Sequence, residues 1–153
     1  MIARAGAGES GSAPSDPPLV LHVEDDAALA AGLARLLELE GYRAVTAVDG
    51  PQALELIARQ DLKPDVLIVD YNLPGGMDGT EVAEAIAAAL GYVTPTIILS
   101  AELINAGMPW LPGTPMLPVS KPVAPDLLLK AVAVFAEFGR YARRRGSVLM
   151  TGC

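Results

Sequence analysis

The sequence predicts an α/β fold built on a doubly wound, five-stranded parallel sheet. From residue 19 onward, short apolar runs alternate with stretches of helical periodicity, the pattern of βαβ units with right-handed crossovers. The main runs are apolar at every position rather than at alternate ones, as in strands buried on both faces. Four of the five runs end in residues able to do chemistry: Glu24 and Asp25, Asp70, Ser100 and Lys121.

Each element follows from local signals. Leu19 to Val23 reads as the first strand, followed by three acids. Leu29, Leu33, Leu36 and Leu37 then recur at helical spacing, Asp26 is placed to cap that helix, and Gly41 supplies its stop. Tyr42 to Ala47 is the second strand. Asp49-Gly50-Pro51 opens a helix with proline in its first turn, and Leu54, Ile57 and Ala58 form its inner stripe. Val66 to Val69 is the third strand, ending at Asp70. A loop over residues 71–78 leads to a helix over about 79–90 that Gly91 closes. Thr96 to Leu99 and Met116 to Ser120 are the fourth and fifth strands, and a last helix begins near Pro125. Leu127, Leu128, Ala131, Val132 and Phe135 mark its apolar side. His22, inside a buried strand, is expected to be a hydrogen-bonded core residue.

With 153 residues, the chain is one domain's worth, and its 52% hydrophobic content suits a full core. Residues 1–18 are read as a flexible tail, because thirteen of them are Gly, Ala, Ser or Pro. The G-x-G-x-x-G of Gly6 to Gly11 lies there without a preceding strand, so it does not predict a dinucleotide site. A globular domain over 19–138 and a basic extension over 139–153 complete the expected organisation. The first 18 residues carry a net charge of -1 and residues 140–153 carry +4, leaving -10 on the body between them. Such a body repels phosphate backbones and predicts no nucleic-acid partner. The arginines at 140 and 143–145 are expected to complement a helix C-terminus. No apolar run reaches the roughly 18 residues that span a bilayer, and no signal peptide opens the chain. With one cysteine, Cys153, no internal disulfide can form, so the expectation is a cytoplasmic protein without membrane contact.

In a doubly wound sheet, ligands bind outside the carboxyl ends of the strands, where one site would gather Glu24, Asp25, Asp70, Ser100 and Lys121. Three carboxylates brought together repel unless a cation neutralises them. An all-oxygen set with open water positions suits Mg²⁺. A lysine ammonium and a serine hydroxyl opposite the metal complete what the oxygens of a phosphoryl group require. A carboxylate can accept that group as an acyl phosphate.

Val23-Glu24-Asp25-Asp26, Asp70-Tyr71-Asn72-Leu73-Pro74, Ser100-Ala101 and Lys121-Pro122, in this order and spacing, resemble the receiver domains of two-component response regulators. The resemblance covers residues 19 to about 138. It implies a flavodoxin-like strand order 2-1-3-4-5, with Asp70 as phosphoacceptor and Asp25 as a direct Mg²⁺ ligand. Glu24 would hold the metal through water, and the carbonyl of Asn72 would be its third protein ligand. Ser100 would be the switch hydroxyl, and Lys121 the contact to the phosphoryl group. The implied partners are a cognate histidine kinase or phosphotransfer protein and an unknown downstream protein. With only fifteen residues after Phe138, a stand-alone receiver signalling by protein contact is expected, not an enzyme in the ordinary sense.

Two departures stand out. Receivers usually carry an aromatic residue three positions before the lysine, and Pro118 stands there. Residues 105–115 hold three prolines and two glycines where a fourth helix is expected, so a loop is predicted in its place, with Trp110 as a candidate docking residue. Pro118 therefore keeps a pseudo-receiver, a binding module unregulated by phosphorylation, as an alternative. A haloacid-dehalogenase-like phosphatase is a weaker one, because Asn72 occupies the place of that family's second acid.

Overall fold

The computed structural model describes residues 16–101 and 115–152. Nine elements follow in chain order: β1 (Leu19–Val23), α1 (Ala27–Leu39), β2 (Arg43–Ala47), α2 (Gly50–Gln60), β3 (Val66–Asp70), α3 (Gly79–Leu90), β4 (Thr96–Ser100), β5 (Met116–Ser120) and α4 (Pro125–Gly152). The five strands form one sheet, ordered β2-β1-β3-β4-β5, and every neighbouring pair is parallel. All strand C-termini therefore meet at one edge of the sheet. The order and the α/β class are those read from the sequence. Of the segment expected to replace a fourth helix, residues 105–114, Trp110 among them, lie outside the described residues, as do residues 1–15.

Alternation along each strand divides the core in two. Leu21, Val23, Leu67, Val69 and Ile98 pack against Ala53 and Ile57 of α2 and Val82 and Ile86 of α3. On the opposite face, Val20, Ile68, Ile97 and Val119 pack against Leu37 of α1 and Leu128, Val132 and Ala136 of α4. Residues two apart share a face, so His22 and Glu24 follow Val20 onto the α1/α4 side.

Three of the four helix starts are fixed by acids. Asp26 accepts hydrogen bonds from the N–H groups of Ala28 (3.0 Å) and Leu29 (3.1 Å), as its cap role requires. Asp49 accepts from Gln52 at 2.9 Å, ahead of Pro51. Asp78 and Glu81 form a reciprocal capping box at the start of α3, and Gly91 ends that helix in the left-handed conformation, φ 81°.

Several expectations need correction. Leu29 is 51% exposed, and Ala30 and Leu37 are the buried residues of α1. On α2, Ala53 is buried where Ala58 was expected, and on α4 Leu127 faces solvent while Ala136 is buried. α4 runs from Pro125 to Gly152 and spans position 138/139. At Gly139 the helix packs directly on the backbone of Asp65, where a Cβ would collide. Residues 16–18 are tied down as well. Pro18 O accepts from Arg43 N at 2.9 Å, and Asp16 O accepts from the Arg140 guanidinium. Pro118 sits in β5 opposite Ile98. As an edge strand, β5 tolerates a residue with no N–H.

Candidate functional site

Asp70 ends β3 and is buried at 6% exposure, and Glu24, just past β1, is buried at 3%. Asp25, next in the chain, is exposed. One oxygen from each of these three carboxylates lies within 4.8 Å of the others. Lys121 enters from the end of β5: its Nζ is 3.0 Å from Asp70 Oδ2 and 3.6 Å from Glu24 Oε1. The Lys121 N–H donates to Ser100 O at 2.7 Å, which ties the lysine's backbone to the end of β4, where Ser100 itself is buried. Asn72 is exposed, and its N–H donates to Asp70 Oδ1 at 3.3 Å. The sequence-predicted residues thus converge on one edge, with Lys121 in contact with two of the three acids.

Backbone contacts hold the cluster in place. Glu24 N–H donates to Ala47 O at 2.8 Å and Tyr71 N–H to Leu99 O at 2.8 Å, extending the sheet past its last strand residues. The loop after Asp70 folds back so closely that Gly79, the first residue of α3, lies against the β3 end. A Cβ there would sit 2.7 Å from Asp70 O. The sequence reading missed this contact, for which a glycine beginning a helix was the available signal. It also missed the Asp78 capping box, which the spacing Asp78-Gly79-Thr80-Glu81 does carry.

Burial pushes the Glu24 carboxyl above its usual range, opposed by the hydrogen bond from Asp26 N–H and reinforced by the charge of Asp70. Burial works to lower the Lys121 pKa, but its hydrogen bond to Asp70 and the charges of Asp70 and Glu24 raise it overall. The ammonium is thereby fixed as a cation. His22 lies beneath Glu24, with Nε2 3.9 Å from Glu24 Oε1. Contrary to the sequence expectation, neither ring nitrogen has a hydrogen-bond partner among the described residues. Burial first, then the Lys121 charge, lower its pKa to about 4, against a smaller opposing effect of Asp70. The imidazole is therefore neutral near pH 7.

Chemically, the edge offers an all-oxygen acidic cluster beside a fixed ammonium. No helix among the described residues is long and apolar enough to cross a membrane. Residues 20–133 match the response regulator receiver domain family, and the chain belongs to that family, the receiver modules of two-component signalling. It is 40% identical over 85 residues to the transcriptional regulatory protein PrrA of Mycobacterium tuberculosis, covering 56% of this chain and 35% of that protein. It is 37% identical over 83 residues to the DNA-binding response regulator MtrA of Mycolicibacterium paratuberculosis, covering 54% and 35%. The match thus spans about a third of the length of these curated relatives. Among solved structures, the N-terminal domain of a response regulator/sensory box/GGDEF three-domain protein from Carboxydothermus hydrogenoformans superposes with a TM-score of 0.69 at 26% identity, covering 80% of this chain and 97% of that one.

Proposed function

We propose that this receiver domain is phosphorylated on Asp70 in a Mg²⁺-dependent reaction and signals through protein contact. The observation that carries the reading is the 3.0 Å approach of Lys121 Nζ to Asp70 Oδ2 within a three-carboxylate cluster. Transfer from a phosphohistidine breaks the P–N bond, returns the electron pair to the imidazole nitrogen and forms a P–O bond on Asp70. Lys121, already aimed at the reacting carboxylate, would move its hydrogen bond to a phosphoryl oxygen. The Ser100 hydroxyl would donate to another. Hydrolysis of the acyl phosphate restores the Asp70 carboxylate, so the chain resets itself without acting on a separate substrate.

The donor chemistry fits a hard divalent cation: Glu24, Asp25 and Asp70 offer only oxygens, and Asn72, whose N–H donates to Asp70 Oδ1, would add its backbone carbonyl. When bound there, Mg²⁺ supplies positive charge to the phosphoryl oxygens. Glu24, buried and raised in pKa, would gain from such a neighbour, because a cation favours its ionised form.

Histidine kinases are partners of receiver domains, and a cognate kinase or phosphotransfer protein is the proposed donor, in the cytoplasm. The exclusion of nucleic acid drawn from charge is not retained for the whole protein, since relatives such as MtrA are named as DNA-binding and extend well beyond the matched region. The -10 of the body argues only that this domain does not itself grip a phosphate backbone.

Incubation with acetyl phosphate, read by intact mass, tests the reading. One phosphoryl addition is expected for the wild type with Mg²⁺ and none with a chelator or in Asp70→Asn. Equal labelling of wild type and Asp70→Asn would overturn it.

A further inference from the structure

Beside the acidic cluster, on the α1/α4 face of the sheet, lies a cavity of about 600 Å³. That is the size of a small-molecule pocket, typically about 300 to 1,000 Å³. Leu29, Gly32 and Leu33 of α1 form one wall, Val123 and Leu128 the other, and His22 part of the floor. Asp25 and Asp70 do not line it, so the space is distinct from the phosphoryl position and shares only Glu24 and Lys121 with that site.

Three features point to an occupant. Leu29 is 51% exposed although it stands at the spacing of a core residue, because it borders this space instead of a packed neighbour. A Cβ built on Gly32 meets nothing within 4 Å, so α1 leaves room there. His22 is 2% exposed, and both of its ring nitrogens lack a partner among the described residues. A buried polar group without a partner is unfavourable, and a ligand that bonded it would recover that loss.

We propose that this cavity binds a small neutral amphiphile, an apolar body carrying a hydroxyl-type head that bonds His22. Both ring nitrogens of His22 lack a partner among the described residues, and a hydroxyl can donate to a ring nitrogen or accept from a ring N–H. A charged head would have to give up its hydration among mostly apolar walls, which is costly. A carboxylate would also meet Glu24, and an ammonium would stand beside the Lys121 cation. The walls are otherwise apolar and match a hydrocarbon or aromatic body. The inference does not depend on phosphorylation of Asp70.

The probe is 2-naphthol, titrated into the full chain and followed by amide chemical shifts, with naphthalene as the headless comparator. The wild type should bind 2-naphthol saturably, with shifts at Leu29, Gly32 and Leu128. Gly32→Phe, or Gly32→Leu if the larger side chain impairs folding, should fill the space and weaken binding at least about tenfold. His22→Leu should weaken 2-naphthol by about tenfold, the size of one hydrogen bond, and leave naphthalene within about twofold. Absence of saturable binding to the wild type, unchanged affinity in a folded Gly32 variant, or equal effects of His22→Leu on both probes would overturn the assignment.

Discussion

Lys121 Nζ and Asp70 Oδ2 are 3.0 Å apart although their strands, β5 and β3, are separated by β4. The lysine side chain crosses the end of one whole strand to reach the carboxylate, and its Nζ also lies 3.6 Å from Glu24, just past β1 on the far side of β3. The parallel sheet brings all five strand ends, those of β1 and β4 included, to this same edge. One ammonium against the three carboxylates of the cluster leaves two negative charges in excess, which is the deficit a divalent cation fills.

Mg²⁺ should therefore stabilise the fold by mass action, by about 2.7 kcal/mol at a hundredfold excess over its dissociation constant. Lys121→Met should destabilise the metal-free protein by about 1 to 3 kcal/mol, since it strips Asp70 and Glu24 of their cation. The same change should tighten Mg²⁺ binding by roughly tenfold, because the competing positive charge is gone. Thermal melts across a Mg²⁺ titration measure both effects. Weaker metal binding in Lys121→Met would show that the lysine assists the metal rather than competing with it.

His22 gives the stability a defined acid limb. Its folded pKa of about 4 lies below the ordinary 6.5, so the unfolded chain binds the extra proton first. The stability it confers is complete above pH 6.5 and lost as pH falls toward 4, by about 3 kcal/mol in all. Glu24 works in the opposite sense: with its folded pKa raised above 4.5, it favours the folded state at low pH and gives up that contribution as pH rises. Urea unfolding in chelator at several pH values should show His22→Leu gaining on the wild type from pH 6.5 down to 4. Parallel profiles would mean that the imidazole is not held neutral by burial.

Gly79→Ala should cost about 1 to 3 kcal/mol, as overpacking does, because its Cβ would press on Asp70 O at 2.7 Å and on the Tyr71 Cα at 2.9 Å. Gly32→Ala is the control: it meets nothing within 4 Å and sits in a helix interior, where alanine is favoured by about 0.5 to 1 kcal/mol. Denaturant titrations compare the two. Equal stability of both variants would mean that α3 does not press on the end of β3.

The strand-end site was legible because a parallel sheet turns sequence order into spatial convergence: a polar residue after each apolar run needs only the sheet to meet the others. The helix faces were less legible. Ala30, Ala53 and Ala136 are buried, and alanine, common on every face, carries little periodic signal. Leu29 and Leu127 carry a strong one and are exposed, Leu29 beside the cavity. The division into 19–138 and 139–153 was drawn from a change in composition, which says nothing of helix ends: arginine is a good helix former, and α4 spans that position. For His22, period-two alternation gives the face, while the absence of a partner depends on which side chains reach that depth.

The central claim is that Asp70 carries the phosphoryl group. Borohydride reduces an acyl phosphate on aspartate to homoserine, so reduction after acetyl phosphate treatment, followed by peptide mass mapping, reads the modified position directly. The account predicts homoserine at position 70, formed with Mg²⁺ and absent with chelator. Homoserine at Glu24-adjacent Asp25 or any other aspartate, or none anywhere after Mg²⁺-dependent labelling, would contradict it.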